Sequence, residues 1–409
     1  MTIPDREILE PAALERTLRK ITEVLAKELG CPTQVAPDWS EFEWIVARAV
    51  AAMHGVSPLL SRTLRWQGPA GWTGFLEDQR VHTAKRHVRI DDLLRRLDQR
   101  AREAGVAAVP LKGVALHSLG VYQAGDRPMA DIDLLVRPAD AHRTAAMLES
   151  LGYAESFTTW EERVFTCGEA KPAILGEHSN NGVKIELHDR ICERLPWRIT
   201  DISEHVFPPK TRPGLNDYPS KASLMIHLLL HAAGSMAYKS LRLLHLHDLA
   251  RLSSQLTEED WDAVLKAGEL GNRLWWAFPP LNLASRYFPR NIPVRVLAEL
   301  AGECPYLLER ASRHRTLCDV SFSHLWVDAF PGIEWSQSLF EALEYLVNRV
   351  RPSAEHIALR ARTAKSEAWG SRSQWSHLSQ SRRILQWITS RPTRPVTMLA
   401  VHAALAQAQ

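Results

Sequence analysis

The stretch RPMADIDLLVRP, residues 127–138, decides how this chain is read. After Asp133 it runs apolar, as a buried strand does, yet two carboxylates, Asp131 and Asp133, open it. Side chains at i and i+2 of a strand share a face, so the two acids project together and Ile132 lies opposite. Two close carboxylates repel, and burying them unpaired is unfavourable. A divalent cation between them reverses the balance. Mg2+ prefers carboxylate, water and phosphate oxygens and is commonly held by one or two side chains plus substrate phosphates. Without such an ion, the same pair reads as strand-end turn carboxylates or caps.

Working outward, GVAAVPLKG (105–113) is a short apolar run ending in Lys112-Gly113, and VALHSLGVY after it fits a short helix. PADAHRTAAMLESLGY fits a helix, with Pro138 near its first turn and Gly152 at its C-terminal end. ERVFTC (162–167), PAILGEHS (172–179) and VKIELHDRI (183–191) read as further strands, with Asn180-Asn181-Gly182 as a hairpin signal between the last two. The expectation is a small mixed α/β unit over 105–195. Glu186 and His188 share a face of the last strand. If that strand lies beside the Asp strand, Glu186 completes a three-carboxylate site of the kind that holds two metals about 4 Å apart. Lys112-Gly113 precedes a helix, where an ammonium, close backbone approach and the helix terminus favour a phosphate. Arg127, in the loop before Asp131, carries bidentate donors for a phosphate. The bland alternatives are a Lys112–Asp131 salt bridge, an Arg127 paired with a surface acid, and a hydrogen-bonded structural His188.

The flanks read as helical. Residues 10–29 place Leu14, Leu18, Ile21 and Leu25 at helical spacing, and Ser40 with Glu43 forms a capping-box pattern before two short helices broken near Gly55 and Pro58. A long polar helix is expected over 75–104, with Leu93, Leu94 and Leu97 on its inner side. From 220 onward helices return: SKASLMIHLLLHAAG, with His227 and His231 at i and i+4, then SLRLLHLHDLARLSSQ and TEEDWDAVLKAGEL with an acidic first turn. There is no HExxH motif, so His227 and His231 are expected to be satisfied, partly buried histidines. His245, His247 and Asp248 read similarly, with Asp248 orienting a neighbour or capping a helix. Trp275-Trp276 reads as packing. The divisions expected are a helical region 1–104, the core 105–195, a helical domain 196–350 and an Arg/Ser-rich helical tail 351–409. The tail carries Arg349, Arg351, Arg360, Arg362, Arg372, Arg382, Arg383, Arg391 and Arg394, with Trp369, Trp375 and Trp387 interspersed. Its common explanation is a solvated, partly ordered helix, and its sharper one is nucleic-acid contact by charge and stacking.

Composition sets wide limits. With 409 residues, 45% hydrophobic and 24% charged, the chain is an ordinary globular one with room for two or three domains. A net charge of +3 is too mild to argue for nucleic acid by itself. The five scattered cysteines show no CxxC pair, which fits reduced thiols in a cytoplasm. The charged N-terminus is unlike a signal peptide, and no apolar run reaches the length of a membrane span.

The segment AAVPLKGVALHSLGVYQAGDRPMADIDLLVRPADAHRTAAMLESLGY resembles the uncharacterised nucleotidyltransferase family of the polymerase-β-like superfamily. The likeness rests on Leu111-Lys112-Gly113, Arg127, Met129, the Asp131–Val136 strand and Leu151-Gly152-Tyr153, and extends to WIVARAVAAMHGVSPLLSRTLR (44–65), IELHDRI, HLLLHAAG and LLHLHDLARL. It implies an α+β fold, with a small mixed-sheet nucleotidyltransferase core flanked by N- and C-terminal helical regions. It implies an Mg2+-dependent transfer of a nucleoside monophosphate from an NTP, with ATP the expected donor, to an acceptor hydroxyl or phosphate. Asp131, Asp133 and Glu186 would be the catalytic and metal-binding acids, in a one- or two-metal site. Lys112, Gly113, Arg127 and His188 would be the nucleotide-side residues. The acceptor class implied is a small molecule, a protein, a peptide or a natural-product intermediate, with no membrane involved. Two departures stand out: Lys112-Gly113 replaces the superfamily's usual Gly-Ser, and Glu186 stands where Asp is usual. The competing readings are a non-catalytic nucleotide-binding or scaffold protein with a degenerate site, and an RNA-modifying enzyme using the basic tail.

Overall fold

A computed structural model describes residues 10–159, 162–168, 175–196, 198–268, 274–353 and 378–408. The first part is helical, as its periodicity requires. Helix α1 (Pro11–Gly30) buries Leu14, Leu18, Ile21 and Leu25. Helix α2 (Glu41–Met53) opens with the expected reciprocal cap: Glu43 N–H donates to Ser40 Oγ (3.2 Å) and Ser40 N–H to Glu43 Oε2 (2.9 Å). Gly55, at φ +66°, turns the chain into α3 (Ser57–Thr63). Helix α4 (Ala70–Glu103) is the long polar helix, with Leu93 and Leu97 buried.

The centre is a six-stranded mixed sheet. Its strands are β1 (Ala107–Pro110), β2 (Asp131–Val136), β3 (Ala154–Thr158), β4 (Arg163–Thr166), β5 (Lys184–His188) and, later in the chain, β8 (Gly214–Leu215). Their order across the sheet is β3-β4-β5-β2-β1-β8. Strand β2 is parallel to β5 and antiparallel to β1, and β5 is antiparallel to β4. Helices α5 (Lys112–Ser118) and α6 (Ala141–Ser150) follow β1 and β2. The two faces of β2 have different fates. Ile132, Leu134 and Val136 join a core with Ile90 and Leu97 of α4 and Leu148 of α6. Leu135, on the face of Asp131 and Asp133, joins a larger core shared with the helices that follow the sheet. Period-two alternation therefore turns the two acids toward the seam between sheet and helical region.

One expectation fails. Residues 175–179 form no strand, and the antiparallel partner of β5 is β4. The turn signal at Asn180–Gly182 does mark a bend, closed by Asn181 N–H to His178 O (3.0 Å). The backbone before it is held by side chains of α4: Gln79 Nε2 donates to Glu177 O (3.1 Å), Glu177 N–H donates to Gln79 Oε1 (2.6 Å), and Arg86 Nη1 donates to Asn181 O (2.8 Å). These bonds replace a strand ladder. The rest of PAILGEHS, residues 172–174, lies outside the described residues.

Beyond the sheet, β6 (Cys192–Leu195) and β7 (Arg198–Asp201) form a two-stranded ribbon leading to α7 (Ser203–Val206). The remaining helices are α8 (Lys221–Ala237), α9 (Leu243–Ser253), α10 (Glu258–Ala267), α11 (Phe278–Tyr287), α12 (Val294–Glu303), α13 (Tyr306–His314), α14 (Leu339–Val350), α15 (Gln380–Ser390) and α16 (Pro395–Ala408). Trp276 is fully buried and Trp275 packs edge-on to Trp335, so that pair is packing. The tail does not remain apart: α16 buries Thr397, Val401 and Ala404 and packs on α2, and Arg394 donates to Lys239 O and Ser321 O. Arg360, Arg362, Arg372, Trp369 and Trp375 lie outside the described residues. Among those described, no single helix is long and apolar enough to cross a membrane.

Candidate functional site

The register of β2 against β5 places Asp133 directly opposite Glu186, and Asp131 opposite Lys184. Opposed residues of neighbouring strands share a face, so Asp131, Asp133 and Glu186 converge on one side of the sheet. Ligand atoms of Asp133, Glu186 and His188 lie within 4.8 Å of one another, a spacing that suits a shared cation. Lys112 completes the cluster. Its φ of +46° is left-handed, a strained conformation for a residue with a Cβ. That turn carries the chain from β1 into α5, and Lys112 Nζ meets Asp133 Oδ1 at 2.9 Å. His188 Nε2 lies 3.1 Å from the same oxygen and 3.8 Å from Glu162.

The charges answer one another. Burial works against ionisation of Asp133, but Lys112 and His188 beside it hold its carboxyl well below the usual range. Burial also works against the Lys112 ammonium, and Asp133 and Glu186 override it to raise its pKa. Glu186 has the opposite fate: burial, then Asp131, Asp133 and Glu162, push it up to about 10. Burial and the acids around it thus keep Glu186 protonated, and the positive charge the cluster lacks is what a divalent cation would supply. The carboxylate oxygens of Asp133 and Glu186 suit Mg2+, with the His188 ring nitrogen as a donor of another kind in the same group.

Two spaces flank this cluster. A cavity of about 370 Å³ is bordered by Lys112, Gly113, Arg127, Asp131, Asp133 and Glu186 on the sheet side and by His231, Arg242, His245 and Asp248 on the helical side. A smaller one, about 170 Å³, is bordered by Glu162, Glu186, His188, Glu193, His227 and His231. His188 thus faces the smaller space, away from Arg127. A larger cavity, about 640 Å³, lies on the far side of α5, near Leu94 and Tyr218, and shares only Val114 and Met129 with the acid-lined one.

Arg127 is not a free phosphate donor. Its Nε and Nη2 donate to Asp248 Oδ1 (2.9 Å) and Oδ2 (2.8 Å), and Tyr122 Oη donates to Asp248 Oδ1 (2.8 Å). Asp248 therefore orients a neighbour, as its position in the sequence suggested. Gly113 is explained by the same pair: a Cβ there would sit 2.3 Å from Arg127 Nη1. The close approach at Gly113 is that of Arg127. His227 is a satisfied buried histidine, its Nδ1 2.7 Å from Tyr218 Oη. Burial, then Lys112, bring His231 down to about 3, and its Nδ1 lies 3.5 Å from Glu193. Sequence reading missed Tyr218, Glu162, Glu193, Lys184 and Arg242. Lys184 had a signal, two residues before Glu186 on the same strand face. Arg242 had none, because only the fold brings α9 over the sheet.

A mixed sheet bearing paired aspartates on one strand and a third acid on its neighbour, roofed by helices, has the build of a nucleotidyl-transferring core. The sequence profile of the family described as "Uncharacterised nucleotidyltransferase" matches residues 40–289, well over half of the chain, and the chain belongs to that family. It is accordingly a nucleotidyltransferase. No curated protein and no solved structure matches it.

Proposed function

We propose that the protein transfers a nucleoside monophosphate from an NTP, with ATP the expected donor, to a hydroxyl or phosphate acceptor in an Mg2+-dependent reaction. The observation that carries this reading is the register that sets Glu186 against Asp133, with Asp131 on the same face. Asp131, Asp133 and Glu186 would hold the ion, which when bound neutralises phosphate charge and polarises the α-phosphate. Lys112 holds Asp133 ionised and turned toward the cavity. Glu186, deprotonated once positive charge enters the cluster, would serve as the third ligand or as the base that takes the proton of the acceptor. The acceptor oxygen forms a bond to the α-phosphorus as the bond to the bridging oxygen breaks, and pyrophosphate leaves. His231 and His245 are kept neutral by burial and border the cavity from the helical side, where they offer hydrogen bonds without adding charge. Cys31 and Cys167 are exposed thiols, which supports a reducing, cytoplasmic setting.

The test is release of pyrophosphate from α-labelled NTPs in the presence of cell extract and Mg2+, with the labelled product identified. Asp131→Asn and Asp133→Asn should each abolish labelling while the chain remains folded. Labelling that survives both substitutions refutes the assigned site. Tight nucleotide binding with no labelled product from any extract would favour the non-catalytic reading.

A further inference from the structure

Among the described residues, four cations border the acid-lined cavity: Lys112, Arg127, Lys184 and Arg242. Two are engaged by protein. Lys112 is paired with Asp133, and Arg127 presents a two-pronged face to Asp248. Arg127 is 8% exposed and Asp248 2%, so turning the guanidinium toward a ligand would strand a buried carboxylate, a strongly unfavourable exchange. The other two differ. Lys184 and Arg242 are exposed, and among the described residues no carboxylate lies within ion-pair distance of either.

Arg242 is the better formed. It immediately precedes α9, where its backbone N–H donates to His245 Nδ1 (3.4 Å). Its guanidinium carbon lies 5.5 Å from the centroid of the Phe322 ring, which also borders the cavity. Stacking on a ring orients the planar group while leaving its N–H donors available. A planar fork of donors matches phosphate oxygens better than a single ammonium does. Lys184 approaches from the opposite wall, on β5 beside Asp131.

The bound triphosphate needs this charge. The acids and their ion serve the reacting phosphorus, and the phosphates beyond it carry further negative charge that Lys112 and Arg127, already paired, do not meet. We propose that Arg242 is the residue that receives the terminal phosphates of the nucleotide, with Lys184 as its counterpart across the cavity. Bound triphosphate then ties the sheet, through β5, to the helical region, through α9. This assignment rests on the nucleotidyltransferase reading of the same cavity.

Equilibrium binding to the full chain tests it, using MgATP and, as a probe independent of the base, Mg2+-tripolyphosphate. Arg242→Gln should weaken both by about 10- to 100-fold, the range for loss of charge-assisted hydrogen bonds. Arg242→Lys should recover part of that loss, which a purely structural role would not allow. The melting temperature of Arg242→Gln should match that of the parent, since the side chain is exposed. Should Arg242→Gln not fold, Arg242→Lys carries the test alone, with a smaller but measurable weakening for both probes. Unchanged affinity in the variants overturns the assignment and leaves the enzyme reading standing. A parent chain that binds neither probe overturns the enzyme reading, and the assignment falls with it.

Discussion

Removing the carboxylate of Asp248 asks whether Arg127 is a strut or a ligand. In Asp248→Ala, Arg127 loses two hydrogen bonds of 2.9 and 2.8 Å and keeps its hydrogen bond to Pro128 O at 3.3 Å and its place over the Tyr122 ring. The charge left behind is buried. Breaking such a pair from one side costs about 3–5 kcal/mol. Tyr122 Oη loses its bond to Asp248 but retains His247 Nδ1 at 2.7 Å, so it adds little. Unfolding entropy of about 2.1 cal/mol/K per residue over 409 residues makes about 4 kcal/mol equivalent to a fall of about 5 °C in melting temperature. Calorimetry of the full chain reads this directly. The double variant Arg127→Met/Asp248→Leu, which removes both charges, should regain most of the loss. If Asp248→Ala melts within a degree of the parent, the pair is not the strut described, and Arg127 returns as a candidate phosphate ligand.

Other outcomes follow from the same contacts. Gly113→Ala places a Cβ against the pinned Arg127 guanidinium and Met129, and should destabilise by about 1–3 kcal/mol in chemical denaturation, the range for overpacking. Ser40→Ala removes one arm of the α2 capping box and should lower stability by about 1 kcal/mol. His54 is buried, donates or accepts at both ring nitrogens (Leu243 N–H to Nδ1 and Ser323 Oγ at Nε2, each 2.9 Å), and is held down to about 3 by burial and then Arg242. Its folded pKa lies below its unfolded one, so the unfolded chain binds the extra proton. Stability should therefore fall as pH drops from about 6.5 toward about 3, by up to about 1.4 kcal/mol per pH unit from this residue alone. His54→Gln should show a shallower slope in pH-dependent denaturation.

The acid pair was legible in the sequence because two rules coincide at RPMADIDLLVRP: an apolar run sets a strand, and a period of two sets a shared face. The place of Glu186 followed once β5 was set beside β2, since IELH carries the same alternation. The capping box at Ser40 and the turn at Gly152 were equally local. What the sequence hid was long-range. The loop at 175–181 carries strand-like residues, but Gln79 and Arg86 of α4 hold its backbone, nearly a hundred positions away. Arg127 looked like a phosphate donor because its partner, Asp248, arrives from a distant helix. Arg242 was invisible for the same reason. The short strands β3, β6, β7 and β8 were missed because four or five mixed residues, or two, give too little alternation to read.

The central claim is that acids from adjacent strands grip a divalent cation together with a nucleotide, and Mn2+ binding measured by electron paramagnetic resonance tests it most directly. In the presence of a non-hydrolysable ATP analogue, the full chain should sequester Mn2+ and release it on addition of excess Mg2+, and Asp131→Asn/Asp133→Asn should bind it at least about tenfold more weakly, a loss of about 1.4 kcal/mol or more. Equal Mn2+ affinity in the parent and the double variant would contradict the account.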